Sequence, residues 1–265
     1  MLRKLIGRHI DDYFRRTYEE VAPPDRTEIF GEAAGQSLQV LIYEPPSGSK
    51  EVARLSLHHG GAWHHGNPWQ LSAIARDLSA RGVEVYLPEY RTASRDGTSV
   101  LDAVGDAELL YRWLTARAGE TPLFLGGASA GAALAVRALG HGPHVAGLVL
   151  INPALNLGAA RLRLAYHLLE QPPSLSLEAF ASIDPAESCR QGLPPMLLMH
   201  GTRDVLVPFG HIEDFADKVR SAGKSCELVR FAGYGHGFAN EALFPRAHRK
   251  VVQTIERFVH KQVSR

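Results

Sequence analysis

Leu123-Phe124-Leu125-Gly126-Gly127-Ala128-Ser129-Ala130-Gly131-Ala132-Ala133-Leu134-Ala135-Val136 is the most informative stretch of the chain. A short apolar run ends in glycines, a serine stands between Gly127 and Gly131, and helix-forming residues follow at once. Strand, sharp turn and helix in that order form the setting a G-x-S-x-G pattern needs before it has chemical meaning. The reason is steric. A chain that passes from strand to helix within one residue brings neighbouring backbone close. Gly127 and Gly131 offer no side chain to clash, while Ser129 projects from the turn. The bland alternative is an ordinary turn in which Ser129 caps the following helix. Partners for a serine hydroxyl elsewhere in the chain separate the two readings.

A hydroxyl is a poor nucleophile until a base takes its proton, and neutral imidazole suits that task near pH 7. Of the 13 histidines, His236 alone stands in the glycine-rich loop directly after the last predicted strand, in Phe231-Ala232-Gly233-Tyr234-Gly235-His236-Gly237-Phe238. His211 and His248 fall within predicted helices and read as solvated. The imidazole needs an acceptor to hold its tautomer. Asp204, in the loop after the predicted strand Met196 to Met199, supplies one, and the chain order Ser129, Asp204, His236 is a known order for such a triad. Acyl transfer also needs donors for an oxyanion. The strand Ala53 to Leu57 runs into His58-His59-Gly60-Gly61-Ala62-Trp63, so backbone N–H groups of Gly60, Gly61 and Ala62, with that of Ala130, are the candidates. Trp63, Trp69 and Phe238 are candidate substrate-pocket residues, with core packing as the alternative for each.

Away from these loops, short apolar runs alternate with helical patterns. Strands are predicted at Ala53 to Leu57, Val83 to Leu87, Leu123 to Leu125, Val145 to Ile151, Met196 to Met199 and Cys226 to Phe231. Helices are predicted around 68–81, 100–117, 130–139, 208–222 and 246–261. Continuous rather than alternating apolar strands indicate an α/β architecture, a mostly parallel sheet with helices on both faces. Ligands then gather at the carboxyl ends of the strands. Before this core, Glu28 to Tyr43 reads as an antiparallel hairpin about the turn-prone Gly31-Glu32-Ala33-Ala34-Gly35. Residues 1–24 read as an amphipathic lead-in helix closed by Pro23-Pro24. Its mixed charges favour packing on the parent domain over a membrane surface. Residues 154–193 break the rhythm and read as an inserted lid or substrate wall.

The 265 residues, 45% of them hydrophobic, suffice for one core, so the expectation is a single domain over 1–265. Lysine and arginine number 29 against 28 acidic residues, which gives no long-range field to draw in nucleic acid or anionic lipid. No apolar run is long enough for a membrane span or a signal-peptide core, and a cytoplasmic protein is expected. Cys189 and Cys226 lack disulfide-framework or metal spacing and read as free thiols. His58-His59 and His64-His65 invite a metal reading, but no acidic or cysteine ligands accompany them and a serine mechanism needs neither metal nor cofactor.

Together these segments resemble the α/β-hydrolase superfamily, and more narrowly its hormone-sensitive-lipase-like and acetylesterase-like carboxylesterases. Members typically carry His-Gly-Gly-Gly-Trp, Tyr-Arg, G-x-S-A-G, G-x-x-D and G-x-x-H-G-F. Here the matching segments are His59 to Trp63, Tyr90-Arg91, Gly127 to Gly131, Gly201 to Asp204 and Gly233 to Phe238. The resemblance covers residue 28 to the end. Ala62 departs from the third glycine, as in acetylxylan-esterase-like and arylformamidase-like relatives, and Ala128 stands where lipase-like members often have an acidic residue. The resemblance implies a serine carboxylesterase acting on a small-molecule ester. The short inserted segment points to short acyl groups, acetyl esters of sugars or aryl esters among them. Hydrolysis of an aryl formamide or a peptide by the same triad, and noncatalytic ligand binding on the same fold, are the alternatives.

Overall fold

The computed structural model describes residues 2–117, 119–140, 145–155 and 193–264. Most of the segment expected to form a lid, 156–192, lies outside them, as does Cys189. The lead-in segment is the helix α1 (Leu2–Val21). Its end is fastened to the body of the protein. The Tyr43 hydroxyl donates to the Ala22 carbonyl at 3.0 Å and accepts from the Ser72 hydroxyl at 2.7 Å, while Arg76 pairs with Asp25 at 3.0 Å and donates to the Pro23 carbonyl. Tyr18 and Ala22 are buried.

The strands β1 (Arg26–Ala33), β2 (Gln36–Tyr43), β3 (Ala53–His58), β4 (Val83–Pro88), β5 (Leu123–Ala128), β6 (Gly147–Ile151), β7 (Met196–Gly201) and β8 (Cys226–Phe231) form one sheet in the order β1-β2-β4-β3-β5-β6-β7-β8. β1 and β2 are antiparallel, as are β2 and β4, and every other neighbouring pair is parallel. The hairpin turn is tighter than the sequence suggested. Gly31 to Ala33 pair with Leu38 to Gln36, which leaves Ala34-Gly35 to reverse the chain at positive φ, and the extra residue is taken up as an irregularity between Ile29 and Gly31.

Helices α2 (Ser72–Ser79), α3 (Ala93–Asp96), α4 (Val100–Thr115), α5 (Ala130–Leu139), α6 (Phe209–Ser221) and α7 (Pro245–Val263) surround the sheet, with a 3₁₀ turn at Pro68–Leu71. Continuous apolar strands arise because both faces of the sheet are covered. In β6, Leu148 and Leu150 pack with α4, α5 and α6, whereas Val149 and Ile151 pack with α2 and α7; β7 divides Met196 and Leu198 from Leu197 and Met199 in the same way. β8, at the edge, is only partly buried. β5 and β7 run on through their glycines to Ala128 and Gly201. That extension carries the loops bearing Ser129, Asp204 and His236 to one carboxyl edge.

Candidate active site

Ser129 sits between β5 and α5 with φ 52° and ψ −117°, a conformation L residues rarely adopt. The surroundings hold it there. Its N–H donates to the Ile151 carbonyl at 2.9 Å, and its own carbonyl accepts from Ala132 at 3.1 Å and Ala154 at 3.0 Å. Gly127 and Gly131 are as constrained as their spacing implies: a Cβ at Gly131 would lie 2.3 Å from the carbonyl oxygens of both His58 and His59, and one at Gly127 would lie 2.5 Å from the Gly131 carbonyl carbon. The turn is therefore pressed against the end of β3, and glycine is what permits the approach.

Three side chains meet at this edge. His236 Nε2 is 2.9 Å from Ser129 Oγ, and His236 Nδ1 is 2.6 Å from Asp204 Oδ2. Asp204 is fully buried, and its Oδ1 accepts the N–H groups of Leu206 and Val207, each at 2.9 Å. Burial alone would raise its pKa, but hydrogen bonds from His200 and His236, the charge of His236 and the Val207 N–H together hold it well below the usual carboxylate range. An ionised Asp204 fixes a proton on His236 Nδ1 and turns the Nε2 lone pair toward Ser129. The Asp204 and His236 loops also touch through backbone. A Cβ at Gly201 would stand 2.4 Å from the Tyr234 carbonyl oxygen, and Arg203 N–H donates to that oxygen at 2.9 Å.

Beside Ser129, Gly61, Ala62 and Trp63 have successive positive φ values, and His64 and His65 donate back to the Gly61 carbonyl at 3.0 and 3.1 Å. This curl lays Gly60, Gly61 and Ala62 along the cleft, where a Cβ on Gly60 would be 3.4 Å from Ser129 Cβ. Ala130 opens α5, so its N–H has no acceptor within the helix. Among the described residues, the N–H groups of Gly61, Ala62 and Ala130 make no hydrogen bond, which leaves them available to an oxyanion. Tyr90 and Arg91 buttress the loop from behind. Tyr90 stacks on His59 at 4.1 Å between ring centroids and donates to its carbonyl at 3.0 Å, and buried Arg91 forks onto Asp106 at 2.7 and 2.9 Å. Burial lowers the His58 and His59 imidazoles to about 4 and about 3, so both stay neutral. Among the described residues no group of three histidine, cysteine, aspartate or glutamate side chains is placed to hold a metal.

A family model described as an alpha/beta hydrolase fold matches residues 55–240. The chain belongs to that family. Among solved structures, this α/β hydrolase is similar to a thermophilic esterase from the Planctomycetes species Thermogutta terrifontis with propionate bound, at TM-score 0.76 and 29% identity over 92% of this chain and 96% of that one. A structure of Thermogutta terrifontis esterase 2 phosphorylated by paraoxon superposes at TM-score 0.75 and 27% identity over 91% of this chain and 95% of that one. Among curated proteins, a probable isoprenylcysteine alpha-carbonyl methylesterase of Oryza sativa subsp. japonica is 27% identical over 80% of this chain and 57% of its own length. The chain thus spans little more than half of that relative.

The hydrolase cleft holds about 510 Å³. Phe14, Leu71, Ile74, Leu206, Ala62, Ala128 and Ala239 give it apolar walls, and His65, Gln70, Asn152 and Asn240 add polar groups beside Ser129 and His236. The three aromatic residues expected in the pocket are absent from this wall. Phe238 is fully buried and stacked on Phe231 at 4.2 Å, because the chain turns inward after His236. Trp63 is 6% exposed in the core that packs α4 and α5. Trp69 lines a separate depression with Pro23, Pro24 and Glu89. His248 is also not solvated: it is buried, with Nε2 3.0 Å from Asp77 Oδ2, since α7 packs this face inward against α2.

Two site residues escaped the sequence reading. His200 is fully buried at the end of β7, with Nε2 2.9 Å from the Val207 carbonyl and 3.2 Å from Asp204 Oδ2. The i,i+4 spacing of His200 and Asp204 hints at this pairing only once β7 is known to reach Gly201. Asn152 follows β6 and places Nδ2 3.0 Å from His236 Nε2. Its one sequence signal is a polar residue directly after an apolar strand.

Proposed function

We propose that this protein is a serine carboxylesterase that hydrolyses short-chain acyl esters through an acyl-enzyme. The unbroken hydrogen-bonded series Asp204, His236, Ser129, at 2.6 and 2.9 Å within an open cleft, carries the reading. In this mechanism Ser129 Oγ bonds to the ester carbonyl carbon as its proton passes to His236 Nε2, and the oxyanion is held by N–H groups of the Gly60–Ala62 loop and of Ala130. The bond to the alcohol breaks, and the alcohol leaves with the proton from Nε2. Water then attacks the acyl-enzyme, gives its proton to Nε2, and releases the acid while Oγ recovers that proton. Cleft size and apolar walls support a short acyl group. The absence of lysine, arginine, aspartate and glutamate from the described cleft wall supports an uncharged substrate.

Hydrolysis of p-nitrophenyl esters from acetate to palmitate by wild type and Ser129→Ala tests this. Wild type is expected to prefer the short chains. The variant is expected to lose at least about 10⁴-fold in turnover, because the other triad members cannot replace the nucleophile, with its unfolding midpoint preserved. Substantial turnover by the folded variant would refute Ser129 as nucleophile. Inactivity on every ester, with activity on an aryl formamide, would move the reaction to the amide bond.

A further inference from the structure

Asn152 is held relative to Ser129 by backbone on both sides. The carbonyl of Ile151, the residue before it, accepts the Ser129 N–H at 2.9 Å. The N–H of Ala154, two residues on, donates to the Ser129 carbonyl at 3.0 Å, and Asn152's own N–H donates to the Met199 carbonyl at 2.7 Å. Its φ of 36° lies in the left-handed region, which asparagine tolerates better than most residues. The residue is 6% exposed, lines the cleft, and aims its amide at His236.

With Nδ1–H committed to Asp204, His236 Nε2 is an acceptor, and two donors share it: the Ser129 hydroxyl at 2.9 Å and the Asn152 amide at 3.0 Å. One of these does not survive the reaction. Once Ser129 carries the acyl group its oxygen has no hydrogen to donate, so the imidazole loses that partner when it must next accept a proton from water. We infer that Asn152 is a positioning residue that holds the neutral His236 ring in the acyl-enzyme, when Ser129 can no longer do so, and yields Nε2 to the attacking water as that water delivers its proton. This deepens the esterase reading and rests on it.

Stopped-flow hydrolysis of p-nitrophenyl acetate separates the two half-reactions, with the burst reporting acylation and the steady phase reporting deacylation. Asn152→Gly removes the amide at a backbone conformation glycine adopts freely. It is expected to slow the steady phase about tenfold, the scale of one hydrogen bond, and to change the burst rate less than about threefold. A burst approaching one p-nitrophenol per enzyme and a lower KM should accompany this. Asn152→Asp keeps the shape and backbone preference but removes the donor. It is expected to show at least the same loss in the steady phase, and it replaces the glycine variant if that one does not fold. Equal slowing of both phases, or no change in either, would overturn the inference while Ser129-dependent turnover by wild type left the esterase reading intact. If wild type hydrolyses no ester, both fall together.

Discussion

The two halves of the candidate catalytic edge are built by different means. On the nucleophile side, Ser129 and the Gly60–Ala62 loop are set by main chain pressed against main chain, with Gly127 and Gly131 filling spaces that admit no Cβ. On the acid–base side the loops also meet through backbone at Gly201, but the Asp204 and His236 side chains themselves are set by hydrogen bonds, from His200, from the Leu206 and Val207 N–H groups, and from Asn152 onto the ring. Crowding the backbone of the first half should appear as lost folding, and removing side-chain partners in the second as lost chemistry in a folded protein.

Asp204→Asn is the sharpest probe. An amide in place of the carboxylate no longer secures the Nδ1–H tautomer, and kcat is expected to fall about 10⁴-fold while far-ultraviolet circular dichroism stays that of wild type. A variant that unfolded would break the contrast. Next come two glycines. Gly131→Ala would force a Cβ to 2.3 Å from two carbonyl oxygens, whereas a Cβ at Gly237, beside His236, would meet nothing within 4 Å. Urea denaturation is expected to show a loss of about 3 kcal/mol or more for Gly131→Ala and about 0.5 kcal/mol or less for Gly237→Ala. Similar losses at both positions would mean that the two sides are alike after all.

The smallest effect concerns acid. Because folding depresses the Asp204 pKa, the stabilisation it brings is fully present above the unfolded aspartate value of about 4 and is lost as pH falls toward the lower folded value. Thermal unfolding of wild type and Asp204→Asn, followed from pH 8 to pH 2, should show a gap in Tm that is steady above about pH 5 and narrows below about pH 4. The change is on the order of 1–2 kcal/mol. A gap that widened on acidification would reverse the assigned sign.

The same contrast explains what could be read from sequence. Backbone crowding demands glycine, so Gly127, Gly131 and the loop after β3 announced themselves, and apolar runs buried on both faces located β3 to β7, with the partly buried β8 found from its apolar run at the edge. Side-chain partnerships leave no such trace. His200 looks like any residue ending a strand, Asn152 like any polar residue in a loop, and His248 like a solvated helical histidine, until the packing of α7 on α2 buries it against Asp77. Aromatic character misled for a related reason. Trp63 and Phe238 stand beside the right motifs, but the chain turns both into the core, and among the described residues the phenyl ring in the cleft wall comes from Phe14, far off in sequence.

Phe14 belongs to α1, ahead of the 55–240 segment that defines the family. One wall of the cleft is therefore an appendage to the body that carries Ser129, Asp204 and His236, attached near Ala22 and Pro23. Exchanging that helix alone would then change one wall of the cleft and leave Ser129, Asp204 and His236 where they are.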